Sequence, residues 1–192
     1  LGTRFISEKG IKGIKFSLLI LGGDGIGYFY SKSEWLDLIN NYSSFCKLRQ
    51  TKPLFITSTR TPPEVEELIK EKFDVSMSVL YHSEKARGKF DHLLYVADNI
   101  FVTEDSSTML SEAVSSGKKV ISIFPQNINA PEKYLQIITK YQGLEFIERC
   151  SIENIDKILS EKEKEILQIW TDSNTLPSLW TVMVGGDRKE EK

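Results

Sequence analysis

Cysteine is scarce in this chain. Only Cys46 and Cys150 occur in 192 residues, far apart and in no metal-like spacing. That argues against a disulfide framework and a thiolate metal site, and it fits a reducing compartment. Long apolar runs are missing too: none approaches the roughly 20 residues a membrane helix needs, and no signal-peptide pattern opens the chain. A cytoplasmic protein with no transmembrane segment is the resulting expectation. Charge of one sign is lacking, with a formal net charge of −2, so no nucleic-acid partner is expected. A phosphate-bearing small molecule stays open, because an anion site needs local donors and not global charge. Signature motifs are absent as well. There is no G-x-G-x-x-G, no Walker lysine after the glycines, no G-x-S-x-G elbow and no Cys-His pairing, which argues against covalent nucleophilic catalysis. His82 and His92, with Glu84 and Asp91, lack ligand spacing, so no metal is expected.

What remains is a chain 40% hydrophobic and 27% charged, enough for one large domain with a sizeable core. Short apolar runs alternate with amphipathic stretches. Strands are expected at 16–21, 54–57, 75–80, 99–103, 120–124 and 145–147. Helices are expected at about 33–48, after 61, near 91–97, at 106–116 and at about 131–142. "SKSE" at 31–34 reads as a capping box, and "TPPE" at 61–64 as another, with Thr61 as cap, Pro62 at the first helical position and Glu64 closing the box. Gly117 and Gly143 read as helix stops. This alternation predicts an α/β fold, a Rossmann-like doubly wound parallel sheet of about six strands, helices covering both faces. The lobe is expected over 1–150, followed by a helical segment over 151–184 and a disordered tail over 185–192. Trp170 and Trp180 have no periodic pattern of their own and are expected to cover a neighbouring domain. The chain begins at Leu1 and not at methionine, so it reads as the tail portion of a longer protein.

In such sheets ligands bind beyond the carboxyl ends of the strands, where strand order reverses. Three polar turns lie on that edge. The first, "GGDGIG" (Gly22, Gly23, Asp24, Gly25, Gly27), can turn backbone N–H groups toward an anion, or can simply be a tight strand exit. The second, "TSTRTPPE", places Ser58, Thr59 and Arg60 just before a helix N-terminus; Arg60 can hold phosphate or carboxylate, or be a solvated side chain beside a cap. The third, "TEDSSTMLSEA", crowds Thr103, Glu104, Asp105, Ser106, Ser107 and Thr108 before a helix. On that helix Met109, Leu110, Ala113, Val114 and Gly117 form one stripe at about 100° per residue. Glu112 falls at the edge of the stripe. It is too far along to close a capping box from Ser106, and a carboxylate there can accept from two vicinal hydroxyls such as those of a ribose; the alternative is a boundary Glu bonded to backbone or water. Gly23, Ser58, Arg60, Asp105, Ser106 and Glu112 are expected to line one concave site.

"FITSTRTPPE" followed by "LLYVADNIFVTEDSSTMLSEAVSSGKKVISIFP" resembles the mitochondrial-fission Elm-like family. Its Ala-Asp … Val-Thr-x-Asp-Ser … Met-x-Ser-Glu-Ala … Gly-Lys pattern is matched by Ala97, Asp98, Val102, Thr103, Asp105, Ser106, Met109, Ser111, Glu112, Ala113, Gly117 and Lys118. "LGGDGIGYFY" looks like its Gly-Gly loop. The chain departs from the pattern at Asp24, Thr59, Thr108 and Lys119. The resemblance implies the C-terminal lobe of a GT-B-like architecture, with a missing N-terminal lobe across a cleft, as in nucleotide-sugar glycosyltransferases. Such proteins have also been labelled nucleoside-diphosphate-sugar epimerases. The implied ligand is a nucleoside diphosphate or its sugar, as substrate rather than cofactor. The implied nucleotide-binding residues are Gly22, Gly23, Gly25, Ser58, Thr59, Arg60, Thr103, Asp105, Ser106, Met109 and Glu112, with Glu112 on the ribose hydroxyls. The acceptor-activating base would come from the missing lobe, and no metal would take part. Plant members are associated with recruiting the division dynamin, which implies the alternative of a non-catalytic scaffold binding a protein partner.

Overall fold

A computed structural model describes residues 13–83 and 88–158. The chain divides between Asp156 and Lys157 into two units, and the fold is that of the first. Trp170, Trp180 and the 159–192 segment lie outside the described residues.

The strand β1 (Phe16–Leu21) is buried at all six positions, as a near-continuous apolar strand covered on both faces must be. It sits inside a five-stranded parallel sheet in the order β3-β1-β4-β5-β7, with β3 at Lys52–Thr57, β4 at Asn99–Thr103, β5 at Val120–Phe124 and β7 at Ile147–Ser151. A two-stranded antiparallel ribbon joins β2 (Tyr28–Phe29) to β6 (Asn127–Ile128). The helices are α1 (Lys32–Arg49), α2 (Pro63–Lys72), α3 (Phe90–Val96), α4 (Ser107–Ser115) and α5 (Glu132–Gly143). They flank the sheet, giving the expected Rossmann-like α/β fold. Tyr42 and Phe45 of α1 meet Phe101 of β4 edge-on, at 5.5 and 4.8 Å between ring centroids.

The α1 capping box is present: the Ser31 hydroxyl accepts from the Glu34 N–H, and the Glu34 carboxylate accepts from the Ser31 N–H. The second expected box is not. Pro62 is the N-cap of α2, with no side-chain cap, and the helix begins one residue later. Thr61 is instead buried, and its hydroxyl donates to Gly22 O at 2.6 Å at the end of β1. A long-range bond to a strand end has displaced the local cap.

The expected third strand at 75–80 shrinks to a single parallel bridge, Ile56 to Val79. Asp74 Oδ1 accepts from the Ser76 N–H, and the Ser78 hydroxyl takes the Phe55 N–H that a neighbouring carbonyl would otherwise receive. Side chains thus supplant the ladder. With Val79 counted outside β3, the order is that of a Rossmann sheet, and the reversal lies between β1 and β4. The last strand also differs, running Ile147–Ser151 rather than 145–147. Its continuation, a 3-10 helix at Ile152–Lys157, buries Ile152 and Ile155.

Candidate functional site

At the reversal point, the turns after β1, β3 and β4 meet and fasten to one another. The Gly22 N–H donates to Thr103 Oγ1 at 2.8 Å, and the Gly23 N–H donates to Asp105 Oδ2 at 2.9 Å. Arg60 Nη2 pairs with that same oxygen at 2.7 Å. Ser58 Oγ donates to Gly22 O at 3.1 Å and receives the Arg60 N–H at 3.2 Å. The glycines are required by these neighbours. A Cβ on Gly22 would lie 1.9 Å from Asp105 Oδ2, and one on Gly23 would lie 2.2 Å from Arg60 O. Beyond them Gly25 and Tyr28 exchange backbone hydrogen bonds around Ile26 (φ 48°) and Gly27 (φ 79°), a two-residue turn feeding β2. Asp24 points into its own loop and accepts from the Tyr30 N–H at 3.0 Å.

Asp105 is wholly buried. Burial pushes its carboxyl above the usual range, while Thr103, the Gly23 N–H and Arg60 pull the other way. Its second oxygen, Oδ1, is buried without a hydrogen-bond partner among the described residues, as is the Tyr30 hydroxyl. The "GGDGIG" turn is therefore a tight, internally bonded strand exit, with its first two N–H groups occupied by the protein's own side chains.

Next to Asp105 stands a residue that no spacing rule singled out for a role. Glu104 is fully buried and receives Arg149 Nε and Nη2 at 2.7 Å each, Ser122 Oγ at 2.7 Å and Tyr28 OH at 3.0 Å. Its carbonyl accepts from Tyr134 OH at 2.6 Å. Burial, then the adjacent carboxylate, pushes the Tyr28 and Tyr134 hydroxyls up. The Arg149 guanidinium also lies 4.5 Å from the centroid of the Phe124 ring. This knot ties β4, β5, β7, the β2 ribbon and α5 together. Its only local sign was two charged residues inside an otherwise ordinary edge strand, "IERCS".

Two further motif residues hold structure. Asp98 Oδ2 accepts the Phe16 N–H at 2.8 Å. Lys118 Nζ donates to the carbonyls of Leu94, Tyr95 and Ala97 at 2.9, 2.6 and 2.5 Å, closing the C-terminus of α3. Burial lowers its pKa, with Asp98 opposing the shift.

Glu112 lies elsewhere. Between α3 and α4 opens a groove of about 1060 Å³, walled by Phe90, Asp91, Leu94 and Tyr95 on one side. On the other side stand Ser107, Thr108, Ser111, Glu112 and Ser115, with Ser116 and Lys118 beyond the helix. Ser106 caps α4, its hydroxyl accepting from the Met109 N–H at 3.4 Å. Glu112 is exposed on the groove wall, and its carboxylate meets no hydrogen-bond or ionic partner among the described residues. Met109 is half-buried on the same helix, and Thr59 is exposed beside Arg60. Eight of the eleven candidate residues thus fall into two groups, while Thr59, Ser106 and Met109 belong to neither. Gly22, Gly23, Gly25, Ser58, Arg60, Thr103 and Asp105 form the closed crevice. Glu112 stands in the open groove, and α4, capped by Ser106, leads from one to the other. Gly23, Arg60 and Asp105 are not among the residues that line the groove.

The chain is similar in sequence to known proteins. It is 28% identical over 153 residues to Uncharacterized protein RP120 of Rickettsia prowazekii (strain Madrid E), a match that takes in 77% of this chain. The chain spans only 39% of that relative. The sequence profile of mitochondrial fission ELM1 matches residues 12–149, which take in the whole five-stranded sheet but for its last two residues, all three polar turns and the groove, and on that match the chain belongs to the mitochondrial fission ELM1 family.

Proposed function

We propose that this lobe binds the nucleotide half of a nucleotide-sugar donor, as the C-terminal lobe of a two-lobed glycosyltransferase-like protein. The observation that carries the reading is the Glu112 carboxylate, which meets no partner among the described residues, on the wall of an open groove. An exposed acid with no internal task, flanked by the hydroxyls of Ser107, Thr108 and Ser111, suits a ligand with vicinal hydroxyls. Phe90 and Tyr95 on the facing helix offer ring surface to a base. In transferases of this architecture a glutamate at the place of Glu112 takes the ribose hydroxyls, and the family resemblance supports the same role. The α4 N-terminus adds the positive end of a helix dipole near the phosphates. Groups that activate an acceptor would come from another lobe. Titration of the full chain against a panel of nucleoside diphosphates and their sugars tests the reading: saturable binding by one of them supports it, and silence across the panel sinks it.

One observation favours a second reading, a scaffold that binds a protein partner. Ile137 and Tyr141 of α5, with Leu144 just past its end, recur at helical spacing. Ile137 and Leu144 are 44% and 51% exposed, with Phe146 beside them at 46%. A silent nucleotide panel with a partner captured through this stripe would favour the scaffold.

A further inference from the structure

The groove between α3 and α4 carries a second carboxylate besides Glu112. Asp91 stands on the α3 wall, exposed, and meets no hydrogen-bond or ionic partner among the described residues. It lies four residues before Tyr95, so its carboxylate and the Tyr95 ring share one face of the helix. Lys118 is the one basic residue among those lining the groove. Its ammonium is spent on the carbonyls of Leu94, Tyr95 and Ala97, and lies 5.9 Å from the centroid of the Tyr95 ring. Two carboxylates without a free cation among the lining residues favour a ligand that brings hydrogen-bond donors to both walls. Glu112 on α4 suits the ribose hydroxyls, which leaves Asp91 on the opposite wall for the base. At about 1060 Å³ the groove has room for both parts.

An ionised carboxylate only accepts, and its two oxygens can take two parallel N–H bonds. Among the four common bases, guanine alone presents two adjacent donors, N1–H and the N2 amino group. The N3–H of uracil lies between two carbonyl oxygens, which a carboxylate repels. Adenine and cytosine each set a ring-nitrogen acceptor beside the amino group. We propose that Asp91 is the specificity-determining residue of this lobe and that it selects a guanine nucleotide, with the Tyr95 ring beside it as the surface for the base. The proposal rests on the nucleotide reading above and adds the base to it.

The diphosphates of guanosine, inosine, uridine, adenosine and cytidine are the probes, titrated calorimetrically into the full chain. Guanosine diphosphate should bind tightest. Inosine diphosphate lacks only the N2 amino group, so one charge-assisted bond is lost and binding should weaken by about tenfold or more. Asp91→Asn sets an amide donor against that amino group and should erase the guanine preference while melting as wild type does. The same variant should gain affinity for xanthosine diphosphate, whose C2 carbonyl accepts from the new amide while its N1–H donates to the amide oxygen. A merely structural Asp91 would move neither preference. Glu112→Ala should weaken every nucleotide by a similar factor, since all carry the same ribose. Three results each overturn the proposal: tightest binding by another base, equal binding of guanosine and inosine diphosphates, or a guanine preference that survives in a folded Asp91→Asn. Each of these leaves the nucleotide reading standing, whereas silence across the whole panel overturns that reading and the proposal with it.

Discussion

The turn after β4 and the helix that follows it are ten residues of one motif with opposite characters. From Thr103 to Asp105 every side chain is buried and bonded within the protein, to Gly22, Arg149, Ser122, Tyr28, Gly23 and Arg60. From Ser107 to Glu112 the polar side chains face an open groove, and Glu112 meets no partner among the described residues. A dense cluster of hydroxyls and carboxylates therefore has two explanations within a few residues. The buried half holds strands together, and the exposed half is left for something else. Polar residues alone do not mark a site; unspent polar residues do.

The sharpest way to break this contrast is to remove a partner from the buried half. Arg149→Ala leaves the Glu104 carboxylate buried without its counter-charge and should cost about 3–5 kcal/mol in denaturant unfolding. Glu112→Ala should stay within about 0.5 kcal/mol of wild type. Equal losses from the two would erase the distinction. Next in size is Gly22→Ala. Its Cβ would meet Asp105 Oδ2 at 1.9 Å, and forced repacking around a buried carboxylate should cost about 1–3 kcal/mol. An unperturbed melting curve would mean that the Asp105 carboxylate moves aside freely, and the crevice would not be closed.

A smaller effect concerns pH. Burial raises the Asp105 carboxyl above its usual 3.8. A carboxyl with a raised folded pKa contributes stability that is fully present below its unfolded value and is lost as pH rises through the folded value. Asp105→Asn does not titrate. Its stability relative to wild type should therefore improve as pH climbs from below 3.8 through the raised range, then level off. Paired denaturant melts across that range check the slope, and a difference that falls with rising pH would reverse the assignment.

Much of the fold was legible because its inner strands are plain. "FSLLIL", "NIFVT" and "VISIF" are buried from both sides, and their ends match the expected ones residue for residue. The edges were harder. In "IERCS" Glu148 and Arg149 interrupt the apolar run, since an edge strand with one half-open face tolerates charge, and Arg149 serves a carboxylate 45 positions away. The 75–80 stretch alternates like a strand, yet Ser78 spends its hydroxyl on the backbone that a ladder would use. Thr61 misled for the same reason, because a hydroxyl before two prolines reads as a cap until a distant strand end claims it. In the candidate site, helical periodicity placed Glu112 at the edge of the core stripe, whereas the residue is exposed on the groove wall. The glycine turn was legible as a close approach of backbone. Whether the approaching group would be a ligand or the protein's own Asp105 depends on contacts 82 positions apart, which no local pattern carries.

The account stands or falls on whether the exposed half binds. Calorimetric titration of a panel-selected nucleoside diphosphate into wild type and Glu112→Ala, beside their melting curves, is the direct measurement. Charge-assisted hydrogen bonds contribute roughly 1.5–3 kcal/mol each, so losing one or two from a ribose should weaken binding by about tenfold or more while melting holds. Glu112→Gln, which keeps the shape and one acceptor, should lose less. Equal affinities in two equally folded proteins would contradict the account.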